Sequence, residues 1–160
     1  MDQGVNRVYL PPRSTAEYQK QAIFDIFPLS LAVIPWGVLC GSLAIEFGLT
    51  ALESQLMSLL VFAGAVQLAS LGVIAISGLV PSLFSTTFII SSRHLLYSAV
   101  FREDVRKLPT AWRMMIAFFL TDEMFAVVMS FKARYGFFSE HYALVAGFTF
   151  YVVWNIATFV

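Results

Sequence analysis

The sequence predicts an all-α fold: a polytopic transmembrane helix bundle with about five apolar segments, at least one of them kinked, broken or re-entrant. Of the 160 residues, 59% are hydrophobic and only 12% are charged, and the mean hydropathy is +0.78. A soluble domain of this size needs more polar surface than this composition supplies. The apolar runs are long enough for helices that cross a bilayer, with short polar stretches between them.

The polar beginning of the chain differs from everything that follows it. Residues 1–21 are predicted to form a polar N-terminal arm, and residues 22–160 a transmembrane domain. Ser14 is followed three positions later by Glu17, which is the pattern of a capping box and predicts a helix start ahead of the membrane. The first span follows at about 22–47.

Two prolines and an aspartate mark this first span. Pro28 and Pro35 each remove a backbone donor, so we expect a bent or broken helix whose break faces a site. The alternative is a simple kink with packing value only. Asp25 lies in the same span and is a candidate site residue, because ionisable groups inside a membrane are functional by default.

The second span, about 56–80, carries small residues and a glutamine in its interior. Gly64 stands between two alanines, which lets another backbone approach, and it is predicted to mark a helix break or kink. Gln67 offers donors and an acceptor where unpaired polar groups are costly. Two interpretations of Gln67 stay open at this stage: a ligand contact, or a hydrogen bond that joins neighbouring helices.

Charged residues near the middle of two later spans give the strongest functional signal. Arg93 and His94 lie within the third span, about 83–101, and Asp122 and Glu123 lie within the fourth, 112–131. A charge at bilayer depth costs roughly 2.5–3.5 kcal/mol on insertion scales and needs compensation at the same depth. We therefore expect these four side chains to form a polar site inside the bundle.

Helix geometry limits how these side chains can be used. Neighbouring helical residues point about 100° apart, so one of each pair is expected in the site and the other in a structural contact. Tyr97 shares a face with Arg93 and joins the candidate site. Histidine and buried carboxylates are common parts of proton-coupled carriers. The alternative is a buried structural ion pair of Arg93 with Asp122 or Glu123 that only fixes helix register.

Other classes of function find no support in the sequence. Motifs of hydrolases, kinases and metal sites are missing, which predicts a protein that is not an enzyme and has no cofactor or metal. A formal net charge of zero gives no reason to expect nucleic acid as a partner. The lipid bilayer is the expected surrounding.

The basic segments raise a problem of orientation. The N-terminal arm and the segment 102–113 are both basic, and the positive-inside rule puts both in the cytoplasm. Three full crossings between them would put them on opposite sides. We therefore expect a re-entrant or broken segment near Pro81–Arg93, which would also let a half-helix N-terminus point at an anion. The fifth run, Tyr142–Val160, ends with the sequence itself.

Several short motifs occur in a fixed order along the chain. They are Asp25-x-x-Pro28, Pro35, Gly41, Leu52-Glu53-Ser54, Phe62-Ala63-Gly64-Ala65-Val66-Gln67, Arg93-His94-x-Leu96-Tyr97 and Leu120-Thr121-Asp122-Glu123-x-Phe125-Ala126. Their order and spacing resemble those of the AzlC (YgaZ-like) family. The resemblance covers most of the chain from Ala22 to Val160. Family members are longer, so the resemblance implies that this chain lacks the last part of the bundle.

The resemblance implies a transporter subunit that exports branched-chain amino acids, and in some cases methionine, across the bacterial inner membrane. It also implies a small hydrophobic AzlD (YgaH-like) membrane subunit as partner. A substrate carboxylate would meet Arg93 or a broken-helix N-terminus, and the ammonium would meet Asp122 or Glu123. The apolar side chain would lie against Trp36, Phe62 and Phe125. The alternative function is a non-transporting membrane assembly subunit whose ion pair is structural.

Overall fold

Eight α-helices form the structure, a computed structural model that describes residues 14–76 and 78–159. Every regular element in these ranges is a helix, which confirms the predicted all-α class. Most of the predicted polar arm, Ser77 and Val160 lie outside the described residues. The helices are α1 (Thr15–Glu46), α2 (Ala51–Val61), α3 (Gly64–Ala75), α4 (Val80–Ser91), α5 (Arg93–Val105), α6 (Thr110–Phe118), α7 (Asp122–Tyr135) and α8 (Glu140–Ala157).

Three of the predicted apolar runs are interrupted helices. The second run divides into α2 and α3, the third into α4 and α5, and the fourth into α6 and α7, which meet at an angle of 120°. Helix α1 is long and apolar enough to cross a membrane, and α6 and α7 qualify only when taken together as one span. The number of crossings, and a re-entrant course near Pro81, therefore stay predictions.

The two prolines of α1 do not break it. Pro28 and Pro35 lie inside one continuous 32-residue helix, so the first span is not broken, and a bend or kink at the prolines stays a prediction. Each proline removes a single hydrogen bond from a long ladder, and close packing against α8 supports the rest. The Ser30 hydroxyl also donates to the Ile26 carbonyl oxygen at 3.0 Å. At the beginning of the helix, Ser14 accepts from the Glu17 N–H, as its capping pattern predicts.

Helices α1 and α8 run parallel and form the closely packed side of the molecule. A Cβ atom added at Gly37 would lie 2.6 Å from the Cβ of Ala157, so the backbones approach to a distance that only glycine allows. Further along the same interface, the Tyr142 hydroxyl donates to an Asp25 carboxylate oxygen at 2.7 Å. Both helices contribute buried residues to the hydrophobic core.

Helices α5 and α7 also run parallel, joined by matched contacts along their length. Arg93 bonds to Asp122 at one end of the pair, and the Lys132 Nζ lies 2.5 Å from an Asp104 oxygen at the other. Between them the rings of Tyr97 and Phe125 stack with centroids 4.3 Å apart, and Phe101 packs on the same phenylalanine. This parallel pair sets the position of the candidate site.

Candidate functional site

Three helix interruptions meet at one cavity of about 470 Å³. The first turn of α3, the beginning of α5 and the first turn of α7 all line it, opposite apolar side chains from α1 and α8. The lining residues are Val33, Trp36, Phe62, Ala63, Gly64, Ala65, Leu68, Arg93, His94, Thr121, Asp122, Glu123, Phe150 and Trp154. A volume of this size falls in the range of small-molecule sites.

The interruption between α2 and α3 depends on an unusual backbone conformation. Phe62 adopts φ 43°, in the left-handed region, and α3 then begins at Gly64. No side chain in the described part of the chain caps α3, so the N–H groups of its first turn have no side-chain partner there at the cavity wall. A Cβ at Gly64 would lie 2.6 Å from the Trp154 ring, so glycine is required for this approach. The structure thus has a helix break immediately before Gly64.

The interruption between α6 and α7 is specified by local sequence. The Thr121 side chain accepts a hydrogen bond from the Met124 N–H at 3.3 Å, which makes it the N-cap of α7. Asp122 and Glu123 then occupy the first turn, where negative charge is stabilised by the helix dipole. A helix beginning here presents both carboxylates at the cavity wall.

Arg93 forms an ion pair with Asp122, one of the two partners left open by the sequence. The Nη1 of Arg93 donates to Oδ2 of Asp122, and the side chains are 40% and 38% exposed. The pair therefore lines the cavity, in contrast to the fully buried structural pair considered from the sequence. Within the described ranges, Nε of Arg93 and Oδ1 of Asp122 have no hydrogen-bond partner. Both atoms are buried, so they do not face the cavity directly.

Two further polar residues share this wall. Glu123 lines the cavity, and among the described residues its side chain makes no ion pair or hydrogen bond. His94 also lines it, with Nδ1 3.1 Å from the Ser91 carbonyl oxygen and its ring edge-on to Tyr97. The four charged or titratable residues predicted near the middle of the third and fourth spans, Arg93, His94, Asp122 and Glu123, therefore line one cavity. The expectation that one of each neighbouring pair would face elsewhere is wrong, because each pair lies where a helix begins and the cavity reaches both.

Gln67 serves as a link between helices and does not line the cavity. It is 2% exposed, donates to the Ser58 hydroxyl at 2.9 Å, and accepts from the Trp154 indole N–H at 3.0 Å. Of the two interpretations left open by the sequence, this geometry corresponds to the hydrogen-bond link. Because Trp154 is a cavity wall, Gln67 holds that wall in place.

The other predicted residues lie outside the cavity lining. Tyr97 and Phe125 stack on each other behind the ion pair. Asp25 accepts from Tyr142 and lies 3.9 Å from an Arg134 nitrogen, in a separate polar cluster between α1, α7 and α8. Pro28 and Pro35 are absent from the lining as well.

Sequence reasoning missed most of the apolar wall. Val33, Leu68, Phe150 and Trp154 look like any other residues in apolar runs, and no local pattern distinguishes them. Thr121 could have been found, because a threonine followed by two acidic residues is a typical helix start. The fold and the cavity together define a helical membrane protein with a charged internal site.

Comparisons with known proteins support this class. The family described as "AzlC protein" matches residues 28–160. The chain is 36% identical over 113 residues to an "Uncharacterized membrane protein" of Archaeoglobus fulgidus, covering 71% of this chain and 49% of that protein. It is 27% identical over 136 residues to the "Inner membrane protein YgaZ" of Escherichia coli K12, covering 84% and 56%.

The chain belongs to the AzlC family, as the resemblance of its motifs indicated. It spans about half the length of the curated relatives that it matches. No solved structure matches it. The apolar helices and both relatives support a location in a membrane.

Proposed function

We propose that this chain is a subunit of a membrane transporter that exports branched-chain amino acids, with methionine as a further substrate. The observation that carries the proposal is the composition of the cavity. It combines a cation and carboxylates on one wall with aromatic and aliphatic side chains on the other. A zwitterion with an apolar side chain needs both kinds of wall.

The substrate carboxylate has two suitable groups close together. Arg93 offers guanidinium donors, which suit a carboxylate through paired hydrogen bonds. The first turn of α3, from Gly64, adds backbone N–H groups that no side chain caps. Helix N-termini favour anions because their N–H groups and dipole both attract negative charge. We assign the carboxylate to this corner of the cavity.

The substrate ammonium is assigned to the carboxylates of α7. Glu123 has no side-chain partner within the described ranges, and Asp122 lines the cavity beside it. Binding of a carboxylate at Arg93 would weaken the hold of Arg93 on Asp122 and free that carboxylate for the ammonium. The resident ion pair is thus replaced by two pairs with the substrate, which keeps the charges compensated.

The apolar part of the substrate is assigned to the opposite wall. Trp36, Phe62, Phe150 and Trp154 line it, so a branched aliphatic side chain is desolvated on entering. Phe125, the third residue expected from the sequence to contact the substrate side chain, stacks on Tyr97 outside the lining and is not assigned this role.

Proton coupling and assembly are parts of the same proposal. Histidine changes charge near neutral pH, so His94 and the adjacent carboxylates are the candidate proton carriers. An AzlD-type subunit is the proposed partner, and the bacterial inner membrane, with the N-terminus in the cytoplasm, is the proposed location. The proposed activity belongs to the assembled transporter.

The test is export of leucine, isoleucine, valine and methionine from cells preloaded with dipeptides. Cells would make this chain and an AzlD-type subunit, with Arg93 intact or as Arg93→Gln. Hydrogen bonds to charged groups contribute roughly 1.5–3 kcal/mol, so the substitution should slow export about 10- to 100-fold.

The matched control is Lys132→Gln, which removes a cation from the other ion pair of α5 and α7, away from the cavity. It should leave export nearly unchanged. Equal export from the Arg93→Gln and unsubstituted proteins, at equal amounts in the membrane, would contradict the site. That result would favour the assembly subunit. Absence of export from the unsubstituted complex would contradict the transporter itself.

A further inference from the structure

A second concave surface lies between α5 and α6, outside the cavity described above. It is an open groove of about 600 Å³, and its two walls are formed by one face of each helix. We call it the α5–α6 groove. Its rim carries three arginines, namely Arg102 and Arg106 from α5 and Arg113 from α6.

The rim of the groove carries a net positive charge. Arg106 pairs with Glu103 at 2.9 Å, and both side chains are largely exposed. Arg102 and Arg113 form no ion pair with any residue in the described ranges. Guanidinium groups bind phosphate oxygens through two parallel hydrogen bonds. The rim therefore suits a phosphate group.

The floor of the same groove is apolar. Phe101 and Ile116 lie there, each 2% exposed, and Leu120 closes the inner end. The exposed Met114 side chain lies along one wall. The groove is therefore cationic at one end and apolar over the rest of its length, which is the pattern of an amphiphile with an anionic head.

The position of the rim along α5 fits the membrane surface. Arg102 follows Arg93 by nine residues, and Arg106 follows it by thirteen. At the helical rise these separations are about 14 Å and about 20 Å along the axis. Half of the hydrocarbon core of a bilayer is about 15 Å. With the Arg93 site near the bilayer centre, the arginines of the rim lie at the depth of lipid phosphates.

We propose that the α5–α6 groove binds an anionic phospholipid. Arg102 and Arg113 hold the phosphate, Arg106 adds a third positive charge, and an acyl chain extends along Phe101 towards Leu120. Basic pockets between membrane helices are known recognition sites for anionic headgroups. A soluble anion would use the rim alone, and a lipid without a phosphate would use the floor alone, whereas an anionic phospholipid uses both. In phosphatidylcholine the choline cation offsets the phosphate charge, so its attraction to the rim is weaker.

The test measures lipid binding to the full chain, purified in a neutral detergent. Phosphatidylglycerol and phosphatidylcholine with identical acyl chains are titrated and bound lipid is counted by native mass spectrometry. Phosphatidylglycerol should bind at least about tenfold more tightly, because each arginine near the headgroup contributes about fivefold. Arg102→Gln and Arg113→Gln should each reduce that affinity about fivefold and together about 25-fold.

Two control variants separate the rim from the floor. Lys107→Gln removes a positive charge from the same segment, at an exposed residue that does not line the groove, and should leave the affinity unchanged. Ala117→Trp fills the floor and keeps every charge, so it should lower the affinity for phosphatidylglycerol.

Four results would overturn the proposal. Equal binding of the two lipids would show that the headgroup is not recognised. Equal loss in Lys107→Gln and in the arginine variants would indicate general charge attraction. An unchanged affinity in Ala117→Trp would exclude the floor, and full competition by glycerol phosphate, which has no acyl chain, would identify a soluble-anion site.

Discussion

The parallel helices α5 and α7 are joined by an ion pair at each end, and the two pairs differ in their surroundings. Arg93 and Asp122 meet where both helices begin, beside the cavity, with side chains 40% and 38% exposed. Asp104 and Lys132 meet where the helices finish, with side chains 20% and 34% exposed, and neither residue lines the cavity. The charge order is reversed between the two pairs.

This difference shows that an ion pair between helices does not by itself identify a site. Lys132 lies in the last turn of α7, where a cation also complements the helix dipole, so its pair has a sufficient structural explanation. Asp122 likewise complements a helix N-terminus, and in each pair the partner from α5 opposes the dipole of that helix, Arg93 at its beginning and Asp104 in its last turn. The cavity that Arg93 and Asp122 line is therefore what distinguishes the two pairs.

Exchanging the two charges within each ion pair should give the largest difference in leucine export between the two ends of the helix pair. The double variant Arg93→Asp with Asp122→Arg keeps an ion pair but puts a carboxylate next to the uncapped α3 N-terminus, where the substrate carboxylate is assigned. Export of leucine should fall about 10- to 100-fold, since bonds to charged groups contribute roughly 1.5–3 kcal/mol. The exchange Asp104→Lys with Lys132→Asp should change export less than about threefold.

Export that survives both exchanges would remove the distinction between the two ends. The amount of protein in the membrane and its thermal unfolding midpoint are measured alongside. If the variant with Arg93 and Asp122 exchanged folds but does not export leucine, the loss is explained by substrate binding and not by unfolding of the helix bundle.

A smaller effect is expected from one methyl group at the cavity wall. In Gly64→Ala the new Cβ would lie 2.6 Å from the Trp154 ring, so the ring or the α2–α3 break has to move. Overpacking of this kind typically costs about 1–3 kcal/mol. We expect a lower unfolding temperature and slower export.

Gly72→Ala is the matched control within the same helix. Its Cβ would meet no atom within 4 Å, and alanine is a better helix former than glycine by about 1 kcal/mol. The control should therefore retain stability and export. Equal losses of stability and export in the two variants would mean that α3 tolerates no side chain at either glycine. Gly64 would then have no particular role at the cavity.

The helical class and the charged half of the site could be predicted because their physical causes are local. Long apolar runs require helices in a membrane, and Arg93 and Asp122 are expensive there unless they are used. The breaks were harder to predict. Gly64 marks the break between α2 and α3, but the residue that adopts the left-handed conformation there is Phe62, which the sequence did not indicate because bulky residues rarely adopt it. The two prolines of the first span do not mark a helix break, because α1 continues through both.

The apolar wall could not be predicted because its members are chosen by tertiary packing. Trp154 lines the cavity through its approach to Gly64 and its bond to Gln67, and these residues lie about 90 positions away in sequence. The sequence on either side of Trp154 is an ordinary apolar run and does not predict these contacts. Only the convergence of α1, α3 and α8 distinguishes it from residues that face lipid.

Loss of the buried link behind that wall should have a moderate effect. Gln67→Leu removes the bonds to Ser58 and to Trp154 at similar volume. Hydrogen bonds between membrane helices average about 0.6 kcal/mol, so about 1 kcal/mol of stability should be lost. Because the Trp154 ring loses its fixed orientation, leucine affinity should fall more than the small loss of stability alone would cause.

The matched comparison for this variant is Ser58→Ala, which removes one of the two bonds and leaves the tryptophan bond in place. It should lower thermal stability by a similar or smaller amount and leave leucine affinity unchanged. Isothermal titration of the purified protein with leucine measures the affinity of each variant. Equal affinity losses in both would mean that the orientation of Trp154 is irrelevant to binding.

The smallest expected effect concerns two helix starts, that of α2, which has a side-chain cap, and that of α3 at the cavity, which has none among the described residues. At the start of α2, the Thr50 N–H and hydroxyl donate to the Glu53 carboxylate at 2.7 and 2.8 Å, and these bonds lower the pKa of Glu53 from its ordinary value. A carboxylate with a depressed pKa stabilises the fold above its unfolded pKa, and this contribution disappears as the pH falls through the folded pKa. Amide hydrogen exchange in the first turn of α2, corrected for intrinsic rates, should therefore accelerate as the pH falls below the ordinary glutamate pKa and through the lowered pKa of the folded state. Glu53→Gln should remove that dependence.

The first turn of α3 has no side-chain cap within the described ranges, so its amides should gain protection from exchange only when a substrate carboxylate binds. Protection of α2 by leucine to the same extent would mean that the amino acid does not distinguish the free helix end from the capped one, and the assignment of its carboxylate to α3 would fail.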